Sequence, residues 1–77
     1  MTLSALRRGQ KYVIESIDSS DPVVQRLMVL GLVEGTEIEL AGSAIGGDPL
    51  EFRIFGNAIS LRREHAQFFT VLPLNGG

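Results

Sequence analysis

The residues of this chain that could do chemistry are mainly carboxylates. Glu37 and Glu39 lie two positions apart in a segment that reads as a strand, so both project from one face and could hold a hard cation or act as an acid/base pair. No histidine is next to them in sequence, and paired carboxylates of this kind routinely fill the solvent face of a strand. We therefore interpret Glu37 and Glu39 as residues on the solvent-exposed face of a strand.

His65 is the only histidine. The two-histidine sites that are common for divalent transition metals therefore cannot be built within one chain. The remaining acids are scattered through separate turns and strands, and no ligand spacing stands out. We predict no metal site in the monomer and no cofactor.

Nucleophilic catalysis has equally little support. The absence of cysteine excludes thiol nucleophiles, thiolate zinc sites and disulfides, and the serines have one candidate general base among them and no strand-to-helix elbow. The Gly46-Gly47-Asp48 loop lacks the ending of a phosphate-binding loop and opens a strand, not a helix. The sequence predicts a binding module and not an enzyme.

The length and the net charge of the chain further narrow the class of protein to which it can belong. The chain has 77 residues, 44% of them hydrophobic, which suffices for one core, so we predict a single domain over 1–77 with 73–77 as a frayed tail. A formal charge of −2 argues against nucleic acid as a partner. Neither a secretory signal nor a membrane-spanning apolar run is present, which favours the cytoplasm.

The elements that must position any site begin with a strand at 11–17, in which Tyr12, Ile14 and Ser16 share one face. A helix follows, with Asp21 as its N-cap, Pro22 at its first position and Gly31 as its C-terminal cap. Its apolar face, which includes Val23, Leu27 and Leu30, must be covered by the rest of the domain.

Four further strands are predicted at 36–41, 50–55, 58–61 and 69–72, with a hairpin turn at Gly56-Asn57 and a helical turn at 62–67. Leu3 and Leu6 could plug one end of the sheet. Five short strands with one inserted helix predict an all-β fold, and a small sheet avoids exposed edges best by closing. We therefore expect a small five-stranded barrel.

Two blocks of this sequence resemble the FeoA family. The run from Leu27 to Ile38 is similar to the family's L-x-x-L-G-L-x-x-G-T-x-I/V segment, and 47–52 followed by 59–66 is similar to its G-D-P strand entry and its basic close. The resemblance covers almost the whole chain and implies an SH3-like barrel. It also implies an accessory protein of bacterial ferrous-iron uptake that contacts the cytoplasmic GTPase region of a FeoB-type membrane transporter.

The chain departs from the family pattern in three places. Arg26 stands alone where a basic pair is frequent, His65 stands where an acid is frequent, and Phe68 and Phe69 replace aliphatic residues. An aromatic side chain left exposed there would suit self-association or partner docking.

Within the resemblance, the expected partner-binding residues are basic side chains and an exposed apolar edge: Arg26, Leu30, Leu32, Arg62 and Arg63. A purely structural role stays open as the alternative. Leu30 also extends the apolar face of the helix, and Arg62 and Arg63 could simply be solvated. A second function stays open as well, since SH3-like barrels serve many roles. It is a protein- or peptide-binding adaptor in metal-dependent regulation that never contacts a transporter.

Overall fold

The computed structural model of this chain describes residues 1–74. Five strands and two helices form its framework: β1 Lys11–Ile17, α1 Pro22–Val29, β2 Glu37–Ser43, β3 Leu50–Ile54, β4 Asn57–Leu61, α2 Arg63–Ala66 and β5 Phe69–Pro73. Two short 3₁₀ turns, Leu3–Ala5 and Ile45–Gly47, complete it. The predicted all-β fold with one short inserted helix is confirmed.

The strands form one antiparallel sheet in the order β4-β3-β2-β1-β5. Within residues 1–74 the edge strands β4 and β5 do not pair with each other, so the sheet is not closed and the expected closure is wrong. The N-terminal segment covers the β5 edge instead: Thr2 bridges Thr70, and the Val71 N–H donates to the Met1 carbonyl at 2.8 Å. Leu3 is fully buried there, as a plug should be.

Strand β1 changes its inward face part-way along. Tyr12 and Ile14 are buried, but Ser16, which was expected to share their face, is exposed, and Ile17 packs against the core in its place. The pairing register with β5 shifts between Ile14 and Ser16, which marks a β-bulge. A bulge inserts one extra residue and so reverses the alternation beyond it.

Helix α1 begins and ends where its caps predict. The Asp21 Oδ1 accepts hydrogen bonds from the backbone N–H of Val23 at 2.7 Å and of Val24 at 3.3 Å. Gly31 follows the helix with φ +117°, a backbone conformation that favours glycine. Of the residues on the helix, Val24 is fully buried, and Leu27 and Met28 pack against the core.

The β3–β4 hairpin turns one residue earlier than predicted. Ile54 pairs with Asn57, so the two turn residues are Phe55 and Gly56, with φ of +49° and +77°. Positive φ at both positions is typical of the tight turn that matches the twist of paired strands. Asparagine tolerates positive φ better than phenylalanine, which favoured Asn57 as a turn residue. In the structure Phe55 is in the turn and Asn57 lies in β4.

The C-terminal strand also corrects two expectations. Phe69 is fully buried and Phe68 packs against the core, so the aromatic side chain expected to be exposed here is not. Pro73 pairs with Tyr12 and belongs to β5, and Leu74 is described as well, while residues 75–77 of the predicted frayed tail lie outside the described residues. None of the helices in residues 1–74 has the length and apolar character needed to cross a bilayer.

Candidate protein interface

Four exposed apolar side chains gather around the turn that ends α1, and we call Val29, Leu30, Val33 and Phe55 the apolar patch. Their exposed fractions are 86%, 62%, 41% and 72%. Three of them belong to the chain that runs from the last helical turn through Gly31, and Phe55 reaches the same place from the β3–β4 hairpin. Exposed apolar side chains that lie in one region of the surface are typical of protein interaction sites.

Phe55 is the least expected member of the apolar patch. Its φ of +49° lies in the left-handed region, which a bulky residue enters at a cost of about 1–3 kcal/mol. Its ring is also largely exposed to solvent. Neither the turn nor solvation thus favours phenylalanine at this position.

The turn beneath the apolar patch is held by Thr36, the one buried polar residue among residues 1–74. Its hydroxyl donates to the Gly31 carbonyl at 2.9 Å and accepts from the Val33 N–H at 3.4 Å. The Gly35 N–H donates to the Ile14 carbonyl at 2.8 Å, which ties the same turn to β1. The apolar patch therefore stands on a turn with defined geometry.

A charged groove adjoins the apolar patch. It has a volume of about 620 Å³ and includes both Phe55 and the Glu34-Gly35 turn in its lining. In the register of the sheet, Lys11 lies opposite Glu39, and Glu39 lies opposite Arg53, on three neighbouring strands. These charged residues line the groove and give the apolar patch a polar rim.

Two of the residues expected to contact a partner lie at the apolar patch. Leu30 is exposed because it caps α1 and the chain turns away after it, so the expectation that it lies on the covered helix face is wrong. Arg26 is exposed one turn earlier on α1. Leu32 is fully buried in the core, which makes its expected exposure wrong, because the turn at Gly31 directs it inward.

The two remaining arginines lie away from the apolar patch, at α2. Arg62 is exposed and directly precedes the helix. Arg63 is tied to its own chain, since its Nε donates to the Gly47 carbonyl at 2.7 Å and its Nη1 to the Ser4 carbonyl at 3.4 Å. Arg63 therefore has a structural role in addition to any contact with a partner.

Sequence reasoning missed Phe55, the residue that joins the apolar patch to the groove. Leu50, Phe52 and Ile54 alternate along β3 and face the core. This alternation indicates that the residue after Ile54, which is Phe55, lies at the end of the strand and outside the core. An aromatic residue directly before a turn glycine was the available signal.

Among residues 1–74, no three histidine, aspartate or glutamate side chains come together in a way that could hold a metal ion. The Glu37 and Ile38 positions confirm the predicted alternation of β2, with the carboxylate exposed and the apolar side chain buried.

Comparison with known proteins identifies relatives over the whole fold. An FeoA from Chlorobium tepidum, solved by NMR, is 36% identical, superposes with a TM-score of 0.89, and is matched over 100% of this chain and 73% of its own. An FeoA from Stenotrophomonas maltophilia, solved with zinc and described as a procaryotic SH3 domain protein, is 32% identical with a TM-score of 0.80, over 92% of this chain and 88% of its own. The fold is thus SH3-like, with an open sheet.

A fusion of Fe(2+) transport protein A with the Fe(2+) transporter FeoB, from Porphyromonas gingivalis, is 35% identical over 66 residues. The match covers 86% of this chain and 8% of the fusion protein, so this chain spans a small part of that relative's length. The model of the FeoA domain matches residues 1–71. The chain therefore belongs to the FeoA domain family.

Proposed function

We propose that this protein is a non-enzymatic accessory of bacterial ferrous-iron uptake, and that its apolar patch binds the cytoplasmic GTPase region of a FeoB-type transporter. The fusion relative supports the partnership, because one polypeptide there carries both an FeoA part and a FeoB part. Domains joined in one chain meet at a high effective concentration, which suits a contact that is weak between separate chains. The proposal places the protein in the cytoplasm, where that region of the transporter lies.

The observation that carries the proposal is the conformation and exposure of Phe55. A type of residue that disfavours positive φ occupies a turn position where asparagine or glycine is usual, and 72% of it faces solvent. Aromatic residues, phenylalanine among them, are enriched at protein interfaces relative to the rest of the surface. The Phe55 ring packs against Gly31 within the chain but stays largely exposed, so this packing uses only a small part of the side chain.

The surroundings indicate what the partner must offer. Val29 and Leu30 extend the apolar contact along α1, and Arg26 borders it with a positive charge. A complementary surface would present an apolar pocket with a carboxylate at its edge. Such a surface on the GTPase region would use the apolar patch as its centre and the charged groove as its rim.

The test is a calorimetric titration of the protein against the purified cytoplasmic region of the cognate transporter, with and without a GTP analogue. We expect Leu30→Ser to weaken binding about tenfold or more, since burying a leucine side chain contributes about 1.5–3 kcal/mol and every 1.4 kcal/mol is about tenfold in affinity. Arg26→Glu should weaken it as well, by reversing the charge at the edge. Ile45→Ser is the matched control, because Ile45 is fully exposed but lies outside the apolar patch.

The outcomes distinguish the two functions considered. Binding that falls in Leu30→Ser and stays unchanged in Ile45→Ser supports the proposal. Absence of binding in every nucleotide state, by a protein that is folded, would reject it in favour of the adaptor function. Equal binding by both variants would reject the apolar patch as the interface.

A further inference from the structure

A second pocket lies at the opposite end of the β2–β3 pair from the apolar patch. It has a volume of about 270 Å³, and its lining combines two arginines, a serine, a glycine and two leucines: Arg8, Leu40, Gly42, Ser43, Leu50 and Arg63. It shares no lining residue with the charged groove. Its lining contains no acidic side chain, in a protein whose overall charge is −2.

One of its guanidinium groups is held in place by the fold. The Arg63 Nε and Nη1 donate to the carbonyls of Gly47 and Ser4, at 2.7 and 3.4 Å. Asp48 accepts from the Arg63 backbone N–H at 3.0 Å and is not among the pocket-lining residues. A guanidinium fixed by its own chain loses little freedom when it binds an anion.

The second guanidinium comes from the segment before β1. Arg8 forms an isolated parallel bridge with Leu40 through the backbone, which positions it beside the end of β2. Its side chain is exposed, and among residues 1–74 no hydrogen bond to its guanidinium is found. The Ser43 hydroxyl adds a donor without charge.

This combination selects a particular ligand. Two arginines suit an oxyanion, and arginine pairs with a carboxylate through two parallel hydrogen bonds. Leu40, which is only partly buried, offers contact to an apolar group beside that anion, which a free phosphate lacks, whereas Leu50 is almost fully buried. The volume suits a single amino-acid residue at the end of a peptide better than a drug-sized ligand, whose pocket typically measures about 300–1,000 Å³.

We propose that this pocket binds the C-terminal carboxylate of a peptide whose last side chain is apolar. Arg8 and Arg63 pair with the carboxylate, and the terminal side chain contacts Leu40. The site is independent of the apolar patch, so it would add a second contact to a partner that presents such a terminus or bind a different one.

The test is an NMR titration of the full chain, labelled with ¹⁵N, with an N-acetylated pentapeptide of four glycines and a C-terminal leucine. We expect saturable shifts at the backbone amides of Gly42 and Ser43. The same peptide with a C-terminal amide should bind about tenfold more weakly or worse, since hydrogen bonds to charged groups contribute at least that much. Inorganic phosphate should compete only at much higher concentration than the peptide acid.

Arg8→Gln is the decisive variant, because its side chain makes no hydrogen bond that the fold needs in the described part of the chain. We expect it to weaken binding of the peptide acid about tenfold. Arg7→Gln is the matched control, since Arg7 is exposed next to it and does not line the pocket. Equal affinity of acid and amide, equal affinity of Arg8→Gln and wild type, tighter binding of phosphate, or no binding of the peptide acid would each overturn the proposal.

Discussion

The ring of Phe55 lies against the backbone of Gly31. A Cβ atom at position 31 would come within 3.1 Å of the Phe55 Cε2 and 3.9 Å of the Ile54 Cδ1. The absence of a side chain at Gly31 thus lets the β3–β4 hairpin approach the end of α1 closely. Two elements that are distant in sequence meet at this contact, and together they form the apolar patch.

The first prediction concerns this contact. We expect Gly31→Ala to lower the free energy of unfolding by about 2 kcal/mol, because alanine is strained at φ +117° and its Cβ displaces the ring. Urea denaturation measures the effect. The same substitution in a Phe55→Asn background should cost less, by about 0.5 kcal/mol or more, because the ring is gone. Equal costs in the two backgrounds would show that the Cβ of alanine at position 31 does not displace the Phe55 ring.

The second prediction concerns the turn beneath the apolar patch. Thr36→Val keeps the shape of a buried side chain but removes the hydroxyl that donates to the Gly31 carbonyl at 2.9 Å. We expect a loss of about 1–2 kcal/mol in the free energy of unfolding. Thr36→Ser, which keeps the hydroxyl and loses one methyl group, should cost less. If the serine variant were the less stable of the two, packing and not hydrogen bonding would hold this turn.

The third prediction separates two neighbouring arginines. Arg63→Gln should destabilise the protein by about 1 kcal/mol, since its guanidinium bonds to the carbonyls of Gly47 and Ser4 at an exposed site. Arg62→Gln should change stability by less than about 0.5 kcal/mol, as is usual for surface substitutions. Thermal denaturation of the two variants side by side measures the difference. Equal stabilities would contradict a structural role for Arg63.

The parts of the fold that the sequence predicted well are those with local causes. The start of α1 depends on Asp21 and Pro22, and its end on Gly31, and all three act through their own backbone neighbours. The strand positions follow from alternation, which is local as well. These features need no knowledge of the remainder of the chain.

The parts that it predicted wrongly depend on contacts between distant segments. The bulge after Ile14 lies in the pairing of β1 with β5, and Thr2, distant in sequence, bridges the β5 edge of the open sheet. The same limit applies to the candidate interface. The exposure of Arg26 was predictable, whereas the burial of Leu32 and the position of Phe55 depend on how the turn at Gly31 meets the hairpin.

The most direct test of the proposed interface is the substitution Phe55→Asn, measured both for stability and for binding to the cytoplasmic region of the transporter. Asparagine tolerates the left-handed turn position better than phenylalanine, so stability should stay the same or rise by up to about 1 kcal/mol. Ile45→Asn, at an exposed apolar position elsewhere, is the control. We predict that Phe55→Asn loses binding about tenfold or more while remaining folded. Undiminished binding by a stable Phe55→Asn protein would contradict the account.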